Sequence, residues 1–312
     1  MSAQAFVGGN TRWDAYQRIL ELEHLVGRTP LFPIQRLFVK QGVEVLVKLE
    51  WQQFGGSVKA RAAYNIIRRA IEKGELSDGK RLLDASSGNT AIAYAVFSAV
   101  AGIPLTLCVP ENISDYKRHY LNQLGVDLVF TSRLEGTDGA QYAAAELNDK
   151  FPGKYFYADQ YNNDNNWKAH VQSTAPEIWE QTDGRITHFV CGLGTTGTFS
   201  GTGTGLKQIN SDIKLISCQP DAPMHGLEGW KHLETAKVPG IYKSTLADEE
   251  MSISTTAAFE LIPLAAKHEG LLLSPSSAAN LYAAIKVAES IEKGVVVTVL
   301  PDENKSISKS AV

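Results

Sequence analysis

The sequence is short of the features that mark several protein classes. It has no run of basic residues and a formal net charge of -4, so it carries no electrostatic footprint for nucleic acid or an anionic membrane surface. No stretch approaches the roughly 18 consecutive apolar residues of a spanning helix. The opening MSAQAFVGGNTRWDAYQ also lacks the cationic start and apolar core of a signal peptide. The expectation is a cytoplasmic protein with no nucleic-acid and no membrane partner. Cysteine is scarce too. Cys108, Cys191 and Cys218 each sit in a strand-like run, LTLCV, HFVCG and LISCQ, an odd count with no C-x-x-C spacing, which reads as buried free thiols. There is no H-E-x-x-H, no Walker A lysine and no G-x-S-x-G elbow, and the seven histidines never pair at i, i+4. Metal and serine-hydrolase chemistry therefore drop out. His225 and His232, in MHGLEGWKHL from Met224 to Leu233, read as part of a mobile surface element rather than as ligands.

What remains is a chain of 312 residues, 44% apolar and 21% charged, enough for one large or two ordinary domains. Short β-rich runs alternate with segments of helical length. The strand candidates are 43–50, 81–85, 105–109, 127–131, 155–158, 188–193, 214–219 and 295–300. This is the pattern of an α/β protein with helices on both faces of mostly parallel sheets. Eight strands suggest two sheets in two domains, and the Asn- and Asp-rich stretch Gln160 to Asn166 suggests a crossing point. Ala63, Ile66, Ile67, Ala70 and Ile71 form one helical stripe, with Asn65, Arg68, Arg69 and Glu72 on the other face. Lys59 then falls in that helix's first turn.

Four small-residue segments carry candidate chemistry. Gly55-Gly56-Ser57-Val58-Lys59 reads either as a turn with Ser57 as N-cap and a solvated lysine, or as a site for a lysine pushed toward its neutral, nucleophilic amine by the positive end of the helix. Ser86-Ser87-Gly88-Asn89-Thr90 reads as a capped strand-to-helix connection, or as a cradle of N–H groups and hydroxyls for a carboxylate. Gly192-Leu193-Gly194-Thr195-Thr196-Gly197-Thr198 satisfies G-x-G-x-x-G, with Asp221 following 24 residues after Gly197, so a dinucleotide site is a rival. A turn without ligand is the plain alternative. The threonine hydroxyls suit a phosphate monoester instead. Ser274-Pro275-Ser276-Ser277 opens a helix as a simple N-cap, or holds a hydroxyl near an aromatic nitrogen.

Taken together, GGSVKAR, ASSGNTAIA, GLGTTGTFSGTG and SPSSAA resemble, in order and approximate spacing, the motifs of the fold-type II pyridoxal-phosphate enzymes. The resemblance is to the cysteine synthase (O-acetylserine sulfhydrylase) and cystathionine β-synthase group. VGRTPLFPIQRL and PENISDYKRHYLNQLGVDLVFT extend it over roughly residues 25 to 300. The dinucleotide rival would leave Lys59 and the SSGNT loop unexplained. The resemblance implies a tryptophan synthase β-like α/β fold with the cofactor, pyridoxal 5'-phosphate, in a cleft between two domains. The smaller domain would be residues 45–155, and 12–44 with 156–312 would form the larger. Lys59 would form the imine. Asn89 would bond the pyridoxal 3'-oxygen. Gly194, Thr195, Thr196, Gly197 and Thr198 would hold the phosphate, and Ser276, with Ser277 as the alternative, would face the ring nitrogen. Ser86, Ser87, Asn89 and Thr90 would hold the substrate carboxylate, with Gln160 closing over it.

The activity so implied is β-replacement on an activated serine through an α-aminoacrylate, giving cysteine from O-acetylserine and sulfide in a homodimer. Rivals on the same scaffold are O-phosphoserine-dependent cysteine synthase, cystathionine formation and serine or threonine dehydration. A catalytically weak binding or regulatory protein is the rival of another class. A serine beside the ring nitrogen implies a weaker electron sink than a carboxylate would give. The chain departs from the family pattern at Phe54, Ala60, Ala91, Pro275, Ala278 and PDENKSISK. Asp221 stands where the phosphoserine branch carries an arginine, and its charge would repel a phosphate.

Overall fold

The computed structural model describes residues 12–77 and 79–304. The chain forms two compact units, one from residues 12–26 with Ala63–Gln160, the other from 27–62 with 161–304. The boundary at Gln160 falls in the Asn- and Asp-rich stretch. The other bounds differ from the expected 45–155 division. Residues 45–62 join the second unit because β2 (Val43–Leu49) pairs in parallel with β10 (Gly294–Leu300) along its whole length.

The first unit carries a four-stranded parallel sheet of β3 (Arg81–Ala85), β4 (Leu105–Pro110), β5 (Asp127–Thr131) and β6 (Tyr155–Tyr157), in the order β5-β4-β3-β6. The chain lays β4 and β5 to one side of β3, then crosses back to place β6 on the other. The reversal opens a crevice at the C-terminal ends of β3 and β6, where such sheets bind ligands. α3 (Asn89–Ala101) follows β3 and is buried on most of its length, as its apolar sequence requires, and it stops at Gly102 in the left-handed conformation, φ 70°.

The second unit's sheet runs β1-β2-β10-β7-β8-β9, with β1 (Leu31–Pro33), β7 (His188–Gly192), β8 (Lys214–Pro220) and β9 (Glu249–Ile253). Its reversal lies between β7 and β10, so the segments after those two strands share a crevice edge. β1 and β9 escaped the sequence reading. β1 is a three-residue antiparallel edge ending in proline, and β9 reads EEMSI because most of it is solvent-facing. The core packs α9 (Thr255–Glu269) and α10 (Pro275–Ser290) on one face of the sheet, through Leu261, Ala265, Ala284 and Val296. On the other face, Phe189, Phe199 and Leu206 cluster around α8 (Gly197–Ile209).

α2 (Lys59–Lys73) buries Ala63, Ile66, Ile67, Ala70 and Ile71, as their spacing requires. Asn65, assigned to the polar face, is buried as well. The segment Met224 to Leu233 is anchored, contrary to the reading of a mobile element. Leu227 and Trp230 are buried, and Lys231 N–H donates to Leu193 O at 2.7 Å.

Candidate active site

In the second unit, residues 193–196 turn from β7 into α8. Thr196 is the N-cap at φ 69°, a region where a β-branched residue is an outlier. Its Oγ1 is buried with no hydrogen-bond partner among the described residues. Backbone strain and an orphaned hydroxyl at one helix N-terminus mark a place that suits an anion. Gly194 and Gly197 have no room for side chains. A Cβ would lie 2.1 Å from Gly229 O at the first and 2.0 Å from Asn166 Oδ1 at the second. Thr195 Oγ1 accepts from Asn166 Nδ2 at 3.2 Å and from Gly197 N–H at 3.4 Å.

Thr198 Oγ1 lies 3.4 Å from Nε2 of His170, whose Nδ1 is 2.8 Å from Thr174 Oγ1. Burial, reinforced by the Arg61 charge, pushes His170 down to about 3, so the ring is neutral at ordinary pH. Neither His170 nor Asn166 stood out in the sequence, because both lie in α6 (Asp164–Gln172) and only the packing of α6 on α8 brings them to the loop.

Lys59 opens α2. Burial lowers its pKa, while Asp302, Cys191 and Glu50 act in the opposite sense. The carboxylate after β10 and the thiol at the end of β7 are thus near enough to act on the lysine, as the sheet's reversal dictates. Burial is the largest cause that inclines this amine to its neutral form. Ser57 does not cap the helix with its side chain; its Oγ is buried without a hydrogen-bond partner among the described residues. At the start of α10, Ser277 Oγ donates to Asp302 O at 2.6 Å, and Ser276 Oγ lies 3.3 Å from Asp302 Oδ1. The three cysteines are free and buried, and burial pushes Cys108 and Cys191 up to about 12, which keeps these thiols inert.

In the first unit, Ser86 and Ser87 occupy the β3–α3 connection at the reversal, and Asn89 and Thr90 open α3. Ser86 Oγ accepts from the N–H groups of Gly88 and Ala91, both at 3.3 Å. Gln160, just past β6, is fastened to that loop: Thr90 Oγ1 donates to its Oε1 at 2.7 Å, and its Nε2 donates to Ala85 O at 3.0 Å. Beneath lies Asp84, fully buried, its carboxylate accepting from Ala85 N–H at 2.8 Å and Gln160 N–H at 3.4 Å. Burial pushes Asp84 up to about 7 despite those donors. Because the folded-state value is raised, its stabilising contribution is full below the unfolded value of about 4 and is lost as pH rises through about 7. Amide hydrogen exchange in β3 and α3 should therefore quicken between pH 5 and pH 8, and Asp84→Asn should flatten that rise. A slope unchanged in the variant would assign it to another group.

The orphaned threonine, the side-chain-free cradle, the helix N-terminus and the partly buried lysine together fit a phosphate ester with an aldehyde. A family profile described as "Pyridoxal-phosphate dependent enzyme" matches residues 22–302. The chain belongs to this family. Like its other members it is an enzyme that uses pyridoxal 5'-phosphate. It is 43% identical to a cysteine synthase of Aquifex aeolicus, over 92% of this chain and 90% of the relative. It is 36% identical to cysteine synthase B of Escherichia coli, over 90% and 92% respectively. The crystal structure of a cysteine synthase from Entamoeba histolytica superposes with a TM-score of 0.86 at 31% identity, covering 97% of this chain and 90% of that one. The fold is the expected two-sheet α/β architecture. No helix among the described residues is long and apolar enough to cross a membrane, and no cluster of three or more His, Cys, Asp or Glu among them could hold a metal.

Proposed function

We propose that the enzyme makes L-cysteine by exchanging the acetate of O-acetylserine for sulfide. The observation that carries this reading is the partly buried Lys59, whose amine is inclined to its neutral form by burial, at the edge of the same sheet reversal as the Thr196 cradle and Ser276. The names of its relatives support the choice of reaction. Pyridoxal phosphate, when bound, supplies an electron sink for the carbanion at the substrate Cα. Gly194, Thr195, Thr196, Gly197 and Thr198 hold its phosphate, Asn89 its 3'-oxygen, and Ser276 meets its ring nitrogen.

Lys59 Nζ anchors the cofactor and then, as a neutral amine, takes the Cα proton. The C–O bond at Cβ breaks with the electron pair leaving on acetate. Sulfide forms the C–S bond at the same carbon, and Lys59 returns the proton to Cα. Ser86, Ser87, Asn89, Thr90 and Gln160 hold the α-carboxylate without a formal positive charge, through hydroxyls, amides and the α3 N-terminus. Asp221, exposed after β8, disfavours a phosphorylated substrate. The reading carries with it a homodimer in the cytoplasm.

The test supplies O-acetylserine, O-phosphoserine and serine separately, each with sulfide and with homocysteine, and measures the amino acid formed. Cysteine from O-acetylserine and sulfide is the expected product, and turnover of serine with homocysteine alone would overturn the assignment. At the cradle, Thr196→Val should weaken cofactor affinity by roughly 10- to 100-fold, the worth of a hydrogen bond to a charged group. Thr196→Gly should weaken it similarly while raising the unfolding midpoint, because glycine relieves the strain at φ 69°. Unchanged affinity in both would move the phosphate elsewhere.

A further inference from the structure

The sheet of the second unit splits at its reversal, and side chains take over there from strand pairing. β7 keeps its ladder with β8 as far as Gly192 opposite Cys218, but its ladder with β10 ends at Val190 opposite Thr298. β10 itself runs on beside β2 to Leu300. The last backbone groups of β7 on that side therefore need other partners. Val190 O accepts from Thr298 Oγ1 at 2.7 Å, and Gly192 N–H donates to Asn280 Oδ1 at 2.7 Å. Asn280 is a buried amide among Ala279, Leu281 and Ala283 of α10. Such a group destabilises a helix core unless it is bonded, and the bond it makes is to Gly192. A second contact holds the same glycine. A Cβ there would collide with Cε2, Cζ2 and Nε1 of the buried Trp230, so only glycine lets the indole lie against this backbone. The segment that carries Trp230 continues along the loop, with Gly229 O against Gly194 and Lys231 N–H donating to Leu193 O at 2.7 Å. Leu193 N–H donates to Cys218 O of β8 at 2.8 Å. Residues 192–194 are thus fixed by α10, by β8 and by the 229–231 segment before the chain reaches Thr195 and Thr196.

We infer that Asn280 and Trp230 are positioning residues for the cofactor phosphate, acting through Gly192 to set the entry of the loop that Thr195 and Thr196 continue. The inference rests on the proposed seat of the phosphate at that loop. Its physical basis is the strain at Thr196, whose φ of 69° lies four residues further on. A β-branched residue stays in that region only where its surroundings over-determine the backbone. Fixing Gly192 on two sides supplies part of that constraint. With either anchor removed, the entry to the loop can shift and Thr196 can relax toward a common conformation. The phosphate would then have to reorder the loop as it binds, and affinity falls by the cost of that ordering. Asn280 and Trp230 do this without being among the residues proposed to touch the cofactor, and they come from segments 38 residues or more further along the chain than Gly192.

The test strips the full-length enzyme of cofactor, reloads it with pyridoxal 5'-phosphate, and reads both the affinity and the 31P resonance of the bound phosphate. Asn280→Leu removes the acceptor at nearly constant volume and should weaken affinity about 10- to 100-fold, as expected where a backbone N–H loses its partner. It should also move the 31P resonance. Trp230→Leu, which keeps apolar bulk but loses the flat ring, should do the same, and Trp230→Phe should recover most of the affinity. Weaker binding with the 31P resonance unmoved would assign both residues to packing alone and overturn the inference, as would unchanged affinity. If Asn280→Leu does not fold, the Trp230 pair decides: Phe no better than Leu, with the resonance unmoved, overturns it. Thr196→Val is the control for the reading beneath. No response to Thr196→Val in either measurement would remove the phosphate from this loop, and the inference with it. A response to Thr196→Val but not to the Asn280 and Trp230 variants overturns the inference alone.

Discussion

Lys59→Ala should abolish the visible absorbance of the bound cofactor and lower turnover by at least about a thousandfold, while leaving the protein folded. The rate loss follows from the two duties of one amine, since proton transfer by a positioned base alone contributes roughly 10²- to 10⁴-fold. The fold should survive because burial disfavours the Lys59 ammonium, so the substitution removes a group whose charged form the interior penalises. Arginine cannot rescue the variant, because a guanidinium stays charged and neither attacks an aldehyde nor takes a proton at ordinary pH. A small primary amine added to Lys59→Ala should restore part of the turnover by entering the vacated space as a base. Absorbance scans and initial rates, with and without added amine, check the result. An intact visible band and an undiminished rate would remove Lys59 from the chemistry.

The fold was legible in the sequence wherever periodicity separates strand from helix. All eight expected strands are present, because each is a short β-rich run whose period differs from the helices between them, even β5, which has no buried residue. β9 was invisible because an edge strand with one solvent-facing side needs no apolar run. The four candidate loops were legible as small-residue segments following strands or opening helices. The neighbourhood of the segments after β7 and β10 in the second unit was not, because it depends on where that sheet reverses direction, which strand order sets and local sequence does not. The residues behind the loops were missed for the same reason. Asp302 touches Ser276 across 26 positions, and Asn166 touches Thr195 across 29. Ala60, one of the departures beside the lysine, is fully buried, so a small apolar residue fits there; nothing in the structure explains Phe54.

Arg61→Met should destabilise the enzyme by about 3 to 5 kcal/mol, the cost of leaving buried charges without their partner. Arg61 lies two residues after Lys59 and is almost completely buried. Its Nε and Nη2 bond Glu50 at 2.7 and 2.9 Å, and its Nη1 and Nη2 bond Glu177 at 2.6 and 2.8 Å. Lys48 completes the balance, two cations against two anions, with its Nζ 2.7 Å from Glu177 and 2.8 Å from Thr29 O. Removing Arg61 leaves two carboxylates facing one ammonium, with Glu50 fully buried. Lysine should not restore the loss, because a point charge cannot form the two planar forks. Burial would raise the Glu177 pKa, but hydrogen bonds and charge from Arg61, with Lys48, hold it down at about 2. A depressed carboxylate stabilises the fold above its unfolded value, about 4.5, and that contribution is lost as pH falls through about 2. Urea unfolding between pH 7 and pH 3 should therefore show a plateau at neutral pH and a fall on the acid side, and Arg61→Met should lower the plateau and flatten the fall. Because the cluster fixes the first turn of α2, the same variant should also lose activity at temperatures where it remains folded. Full activity with lowered stability would show that the cluster holds the fold without setting the lysine.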